Sequence, residues 1–191
     1  TGVNKSLPTY QIDNVKYVGG GGEIPGIESV IFSETFGETL STGSTEKFAI
    51  ADFEEWTNGV GLVFSTTDPS KKIEIRRTKT ISNSVWLPAK NIYGFKIENI
   101  NTIGYRDLVL SYKILPNTLA LSGVKANQAN INVKCGEQMM TIPSVELTST
   151  SEYREVELTG ISEGITSIEF ISTENNLVGF RLDDITLKGK K

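Results

Sequence analysis

The sequence predicts an all-β fold, a jelly-roll β-sandwich of two antiparallel sheets. Short runs with apolar residues at every second position recur along the chain, as in Leu108–Ile114, where Ser111 and Lys113 occupy the other face. Such alternation is typical of antiparallel sheets with one buried and one solvated face. Turn-forming residues separate the runs, as in Asp68-Pro69-Ser70. Helical periodicity is almost absent, and Ile50–Trp56 has spacing for one helical turn at most.

These patterns place the strands in order along the chain. The predicted strands are Val30–Phe36, Val60–Ser65, Lys72–Arg77, Val85–Leu87, Tyr93–Ile97, Asp107–Leu115, Asn130–Lys134, Thr141–Leu147, Tyr153–Leu158, Thr166–Ser172 and Val178–Leu187. Many short strands with turns between them favour a sandwich or a barrel.

The last predicted strand changes its buried face part-way along. Phe180 and Leu182 share one parity, whereas Ile185 and Leu187 share the other. A strand with a two-residue repeat can change face only by gaining a residue. We therefore expect a β-bulge at Asp183-Asp184.

A carboxylate also lies on the buried side of the first predicted strand. Glu34 has the parity of Phe32 and Phe36, so it should point into the core. A buried carboxylate needs a partner. A bound Ca²⁺ would provide one and would tie the first strand to Asp183-Asp184 in the last. In the alternative, the two aspartates cap the bulge and pair with Arg181 or with backbone N–H groups.

Length and composition limit the function. A chain of 191 residues suits one core, and we divide it into a leader or linker, residues 1–28, and a sandwich domain, residues 29–191. The net charge of −4 without a basic tract argues against nucleic acid as a partner. No apolar run is long enough for membrane insertion. The absence of histidine removes the commonest general base and zinc ligand. Cys135 shares the parity of Ile131 and Val133, which predicts a buried side chain.

Two segments carry a resemblance to a known family. They are Phe32-Ser33-Glu34-Thr35-Phe36, with Trp56 downstream, and Val178–Leu187, with Trp86-Leu87-Pro88-Ala89 between them. In this order they resemble the galactose-binding-like jelly-roll modules of bacterial secreted and surface proteins. That group includes carbohydrate-binding modules, MAM-type domains and choice-of-anchor J domains. The resemblance covers about residues 29–188.

The resemblance implies a structural Ca²⁺ and a binding function. The implied calcium ligands are Glu34 and either Asp183 or Asp184, with backbone carbonyls, and the choice between the aspartates stays open. The implied function is a non-catalytic module of an extracellular, cell-surface or periplasmic protein that binds a carbohydrate or glycan. It could be joined to other domains of a larger protein. The alternative is a structural or adhesion domain that positions a partner domain and binds no sugar.

A sugar site needs an exposed aromatic platform with polar groups around it. Trp56 and Trp86 are the two tryptophans, and each has core packing as its alternative role. Two polar loops, residues 99–107 and 125–130, could form a rim, with ordinary turns as their alternative. The candidate ligand-binding residues are Trp56, Trp86, Tyr93, Asn101, Tyr105, Arg106 and Asn127, and Tyr153 is a further possible platform.

Paired carboxylates could hydrolyse glycosidic bonds. The adjacent pairs are Glu54-Glu55 and Asp183-Asp184, and neighbouring residues of a strand point to opposite faces. A pair that is distant in sequence, such as Glu74 with Glu98, stays open. We expect no enzymatic activity from this chain.

Overall fold

Two antiparallel sheets form the fold in the computed structural model, which describes residues 26–39, 43–71, 73–78 and 82–191. The larger sheet has seven strands in this part of the chain: β1 (Glu28–Glu34), β2 (Glu46–Ala49), β4 (Glu74–Arg77), β5 (Ser84–Leu87), β7 (Arg106–Pro116), β12 (Arg154–Ile161) and β14 (Phe180–Lys190). The smaller sheet has five: β3 (Val63–Thr66), β6 (Gly94–Glu98), β10 (Ile131–Cys135), β11 (Gln138–Met139) and β13 (Ser167–Ser172). A separate hairpin joins β8 (Ala120–Leu121) to β9 (Val124–Lys125). The predicted all-β sandwich is confirmed.

The last strand lies at the centre of the larger sheet. β14 pairs with β7 along one edge. On its other edge, residues 180–182 pair with β5 and residues 185–190 pair with β1. Glu34 is opposite Ile185 in the second pairing. The predicted adjacency of the first and last strands is therefore confirmed.

The predicted bulge lies at the expected place. Between the pairs Asp183–Lys113 and Thr186–Ser111, two residues of β14 face one residue of β7. Asp184 has a φ of 46°, in the left-handed region. This is the arrangement of a bulge that inserts one residue and turns the strand. The inward side chains accordingly change from Leu182 to Ile185 across it.

The core lies between the sheets and is rich in aromatic rings. Phe95, Tyr112, Phe170 and Phe180 are all fully buried there. Tyr112 packs edge-on against Phe170, with ring centroids 5.1 Å apart. Each large apolar side chain that is removed from water contributes about 1.5–3 kcal/mol. Cys135 belongs to the same core, as predicted, and burial raises the pKa of its thiol to about 12.

Some sequence predictions of elements need correction. Residues 141–147 form no strand, and their ladder pairing is one isolated bridge, between Glu146 and Asn127, outside both sheets. Pro143 lacks the N–H that a ladder requires, which explains the interruption. The strands β2, β8, β9 and β11 were not predicted. The short helix is one 3₁₀ turn, Ile50–Asp52.

The remaining predictions concern the start of the chain and membrane insertion. Most of the leader, residues 1–25, lies outside the described residues, as does Lys72 of the predicted strand Lys72–Arg77. Glu28, assigned to the leader, opens β1. Within the described ranges, no helix is long and apolar enough to cross a membrane.

Candidate functional site

Glu34 lies at the end of β1 with its carboxylate enclosed by backbone amides. It is fully buried, as predicted. The N–H groups of Phe36 and Thr57 donate to its Oε1 at 2.7 and 3.0 Å, and the N–H of Asn58 donates to Oε2 at 3.0 Å. A carboxylate that accepts several backbone N–H bonds has its charge compensated without a metal. Glu34 thereby anchors the segment around residue 57 to the end of β1.

The aspartates of the bulge have other partners. Asp183 is buried, accepts a hydrogen bond from Ser82 and receives the backbone N–H of Asp184 at 2.7 Å. Burial raises the pKa of the Asp183 carboxyl to about 6. Asp184 forms an ion pair with Lys113. The N–H bond to Asp183 agrees with the alternative in which the aspartates cap the bulge. Arg181, the other partner named in that alternative, does not pair with them.

These contacts limit how a calcium ion could be held. Glu34 pairs with the inward-facing Ile185, whereas Asp183 pairs with the outward-facing Lys113. Paired residues project to the same face, so the side chains of Glu34 and Asp183 lie on opposite faces of the larger sheet. The expectation that they meet at one point is wrong. In the described part of the chain, no three His, Cys, Asp or Glu side chains are grouped to hold a metal. Glu34 Oε2 accepts one hydrogen bond, from the N–H of Asn58, and keeps one acceptor position.

Trp56 lies against the core rather than on an open platform. Its ring is stacked on Phe64, with centroids 3.9 Å apart and planes 8° apart. Phe53 contacts it edge-on at 4.9 Å, and Phe36 lies 6.1 Å away. Its alternative role in packing therefore agrees with the structure.

The tyrosine and arginine candidates lie at the ends of strands. Tyr93 precedes β6 and packs on the core, and burial raises the pKa of its hydroxyl. Tyr105 precedes β7, also packs on the core, and has the ammonium of Lys191 4.8 Å from its ring centroid. Arg106 opens β7 and is opposite Lys190 of β14. No described ring contact or ion pair joins any of the three to Trp86.

The two asparagine candidates stabilise their own loops. Oδ1 of Asn127 accepts N–H bonds from Ala129 and Val145, at 2.9 and 3.2 Å, and its Nδ2 donates to Ser144. Asn101 is exposed, and its Oδ1 accepts the N–H of Ile103 at 3.1 Å. Asn101 lines a pocket of 270 Å³ with Asn58, Asn99, Val60 and five other residues. The predicted rim residues therefore do not gather around one platform.

Trp86 is the candidate that lies on an outer surface. It occupies the face of the larger sheet turned away from the core and is half-buried there. The guanidinium of Arg76 stacks on its ring, 3.9 Å from the centroid, and that of Arg181 lies 5.8 Å away. Strand pairing brings the two arginines near the ring, because Trp86 is opposite both Arg181 on β14 and Glu74 on β4. Glu74 accepts two hydrogen bonds from Arg76, both at 3.2 Å.

Unpaired polar atoms surround this tryptophan. Among the described residues, the Ser84 hydroxyl, the Tyr153 hydroxyl and Nη1 of Arg181 are buried and make no hydrogen bond of good geometry, although the Tyr153 hydroxyl lies close enough to those of Ser84 and Ser82 for a looser contact. Ser84 is two residues from Trp86 on β5, and Tyr153 lies close enough to interact electrostatically with Arg181. Burial raises the pKa of the Tyr153 hydroxyl to about 12, so the group is neutral and both donates and accepts. We name this surface, formed by Arg76, Ser84, Trp86, Tyr153 and Arg181, the Trp86 face.

The sequence contained part of the signal for this face. Alternation indicated that one of Arg76 and Arg77 points outward, and Tyr153 was among the possible platforms. Arg181 was considered only as a partner of the bulge aspartates. The neighbours of Trp86 come from three separate strands, and sequence alone does not give their pairing.

The candidate carboxylate pair for hydrolysis is not assembled. Glu74 lies on the outer face of the larger sheet, beside Trp86. Glu98 lies on the outer face of the smaller sheet and pairs with Lys96 at 2.9 Å. The whole sandwich separates the two carboxylates. Hydrolysis of a glycosidic bond by this pair is therefore ruled out.

The chain is similar in fold to several solved structures. A family 29 carbohydrate-binding module from Piromyces equi is 11% identical, with 85% of this chain and 90% of that chain covered and a TM-score of 0.47. The CBM22-1 xylan-binding domain of Xyn10C from Paenibacillus barcinonensis is 9% identical, with 87% and 97% covered and a TM-score of 0.43. The K3 adhesin domain of Lys-gingipain from Porphyromonas gingivalis is 8% identical, with 84% and 98% covered and a TM-score of 0.47.

These similarities are distant, since each TM-score is below 0.5. No family model matches the chain. No curated protein matches it either.

Proposed function

We propose that this chain is a non-catalytic carbohydrate-binding module and that the Trp86 face is its binding surface. The observation that carries the proposal is a half-buried indole beside Nη1 of Arg181, which is buried without a hydrogen-bond partner, and beside the Ser84 and Tyr153 hydroxyls, which contact each other only loosely. Each buried polar atom without a partner costs about 1–3 kcal/mol. A ligand that supplies hydrogen bonds here would recover part of that cost.

Sugars carry an apolar face for the indole and hydroxyl groups for the buried polar atoms. A pyranose ring presents an apolar C–H face, which packs on an aromatic ring, and a rim of hydroxyls that both donate and accept. Trp86 provides the ring, and a sugar that packs on the face now covered by Arg76 would displace that guanidinium. The guanidinium groups of Arg76 and Arg181 provide donors, and the Tyr153 hydroxyl provides both donor and acceptor. Because these polar atoms are buried, ligand contact requires the side chains around them to shift, as side chains at binding surfaces commonly do.

Tryptophan fluorescence tests the proposal, since the chain has two tryptophans in different settings. Trp56→Phe leaves Trp86 as the reporter on the proposed face, and Trp86→Phe leaves Trp56 as a matched reporter in the core. Across a glycan panel, we expect at least one sugar to change the emission of the Trp56→Phe protein. The same sugar should leave the Trp86→Phe protein unchanged. Melting curves of both variants establish that they are folded.

A flat response to every glycan, checked by calorimetry on the unsubstituted protein, would overturn the proposal. That result would favour the alternative role, a structural or adhesion domain that positions another domain. We place the module in a secreted or cell-surface protein, joined to other domains. The support for this setting is the resemblance carried by the Phe32–Phe36 and Val178–Leu187 segments.

Calcium at Glu34 is a second proposal, separate from sugar binding. Its support is a fully buried carboxylate with one acceptor position left after three N–H bonds. The remaining ligands would be backbone carbonyls, which Ca²⁺ accepts readily. An ion that binds only the folded state raises the melting temperature by mass action. The melting temperature measured with and without EDTA tests this proposal.

A further inference from the structure

We propose that the ligand of the Trp86 face is an acidic glycan and that Arg181 binds its carboxylate. The inference rests on the proposed carbohydrate function and names the class of sugar. The sugar would be a uronic acid, whose ring packs on Trp86 while its carboxylate meets the guanidinium. Arg181 is thus the residue that decides specificity.

The two guanidinium groups beside the indole differ in their partners. Two guanidinium groups, from Arg76 and Arg181, lie within 6 Å of the Trp86 ring centroid, at 3.9 and 5.8 Å. One carboxylate, that of Glu74, is committed to Arg76 through two hydrogen bonds. No ion pair or side-chain hydrogen bond of Arg181 is found among the described residues. Arg181 is therefore a guanidinium of this face that no described carboxylate pairs with.

The nearest acidic side chain along β14, that of Asp183, forms no ion pair with Arg181. Asp183 follows two residues after Arg181, and its oxygens are bonded to Ser82 and to the N–H of Asp184. Asp184 itself is paired with Lys113. These carboxylates are held by their own partners. Neither carboxylate pairs with Arg181, so an anion that does so would come from a ligand.

Burial makes the need for an anion stronger. Nη1 of Arg181 has almost no contact with solvent, and burial lowers the pKa of the guanidinium. Arg76 contributes to the same shift through its like charge. A carboxylate can accept two parallel N–H bonds from one guanidinium, which fixes its orientation as well as its position. A neutral hydroxyl offers neither the charge nor the paired geometry.

The charge of the whole molecule does not explain attraction to a polyanion. The net charge is −4, so long-range electrostatics should repel an acidic glycan. Binding must therefore come from a local arrangement. This makes a charge-matched control on another surface informative.

The ligand experiment uses polygalacturonate, alginate and hyaluronan, each beside its carboxyl-reduced, neutral counterpart. Affinity electrophoresis and calorimetry measure binding to the unsubstituted protein. We expect at least one acidic polymer to bind at least about tenfold more tightly than its neutral counterpart, the loss expected for one charged hydrogen bond. Equal binding to both forms, or binding to neutral glycans alone, would overturn the inference and leave the carbohydrate function in place. Failure of every acidic and neutral glycan would overturn the carbohydrate function itself.

The variant experiment asks whether Arg181 is the residue responsible. Arg181→Gln should lower affinity for the acidic polymer about tenfold or more and leave weak binding of the neutral form unchanged. Arg181→Lys keeps the charge but loses the two parallel bonds. Its affinity for the acidic polymer should therefore lie between those of the unsubstituted protein and Arg181→Gln. Lys134→Gln removes the same charge from the outer face of the smaller sheet, where Lys134 pairs with the exposed Glu137.

Equal losses in Arg181→Gln and Lys134→Gln would mean general electrostatic attraction and would overturn the inference. Unfolding curves for each variant separate a loss of binding from a loss of fold. Should Arg181→Gln fail to fold, Arg181→Lys and the polymer comparison still decide the question. In that case, equal affinity of Arg181→Lys and the unsubstituted protein would count against paired recognition of a carboxylate.

Discussion

Replacing Glu34 with glutamine should destabilise the protein although the side chain keeps its size. The carboxylate accepts three backbone N–H bonds, from Phe36, Thr57 and Asn58, at 2.7, 3.0 and 3.0 Å. In Glu34→Gln, one oxygen becomes an NH₂ group, which donates and cannot accept. If the amide oxygen takes the position of Oε1, the new NH₂ faces the N–H of Asn58. One hydrogen bond is lost and two donors meet in a fully buried site.

The magnitude follows from this geometry. A buried polar group without a partner costs about 1–3 kcal/mol, and the two remaining bonds lose their charge. In a domain of this size, 1 kcal/mol shifts the melting temperature by roughly 2–4 °C. We therefore expect Glu34→Gln to melt about 2–12 °C below the unsubstituted protein. Glu34→Ala, which leaves all three donors without the carboxylate, should melt lower still.

The measurement is calorimetric melting, with urea unfolding as a second probe, in buffer containing EDTA. Glu28→Gln is the matched control, since it makes the same change of charge on the same strand. Glu28 is exposed and pairs with Lys188 at 3.4 Å. Exposed ion pairs contribute about 0–1 kcal/mol. Equal melting temperatures for Glu34→Gln and Glu28→Gln would refute the claim that the amide-bound carboxylate stabilises the fold.

Four further predictions follow from the structure. Burial raises the pKa of Asp183 from 3.8 to about 6. The free energy of unfolding should therefore fall by about 3 kcal/mol as the pH rises from about 4 to about 6, because the carboxyl ionises less readily in the folded than in the unfolded state. In urea unfolding measured at several pH values, Asp183→Asn should not show this fall. It should be more stable than the unsubstituted protein at pH 7 but not at pH 4. Gly94→Ala should abolish soluble folded protein in circular dichroism, because its Cβ would lie 1.7 Å from the carbonyl oxygen of Phe170. Asp184→Val should cost about 1–2 kcal/mol at a φ of 46°, while Asp184→Asn costs less, and equal urea midpoints would count against a strained bulge. If the calcium proposal holds, EDTA lowers the melting temperature of the unsubstituted protein and adds nothing to the loss in Glu34→Ala, whereas an unchanged curve removes the ion.

Local patterns were enough to predict much of the fold. The change of parity between Leu182 and Ile185 located the bulge, because a two-residue repeat leaves no other solution. The parity of Glu34 with Phe32 gave its burial for the same reason. The unpredicted strands are short, and β8, β9 and β11 have two residues each. Two residues carry no measurable periodicity.

The candidate site was less accessible from the sequence. Leu182 points inward, so alternation alone places Asp183 on the outer face, opposite to Glu34. The hypothesis of a shared calcium ion overlooked this difference in face. The Trp86 face depends on the pairing of β5 with β4 and β14. Registers between segments that are nearly 100 residues apart come from the packing of the whole sandwich, and no local pattern encodes them.

The position of β14 has a consequence for how the chain reaches this structure. The strand at the centre of the larger sheet is the last of the described strands in the sequence, and it pairs with β1, β5 and β7. During synthesis, these earlier strands must wait for residues 180–190 before their ladders can close. Such distant pairing makes folding slow, on a timescale of roughly milliseconds to seconds. Until then β1 and β5 each lack the neighbour that covers one edge, and it is in this interval that the chain is most exposed to aggregation.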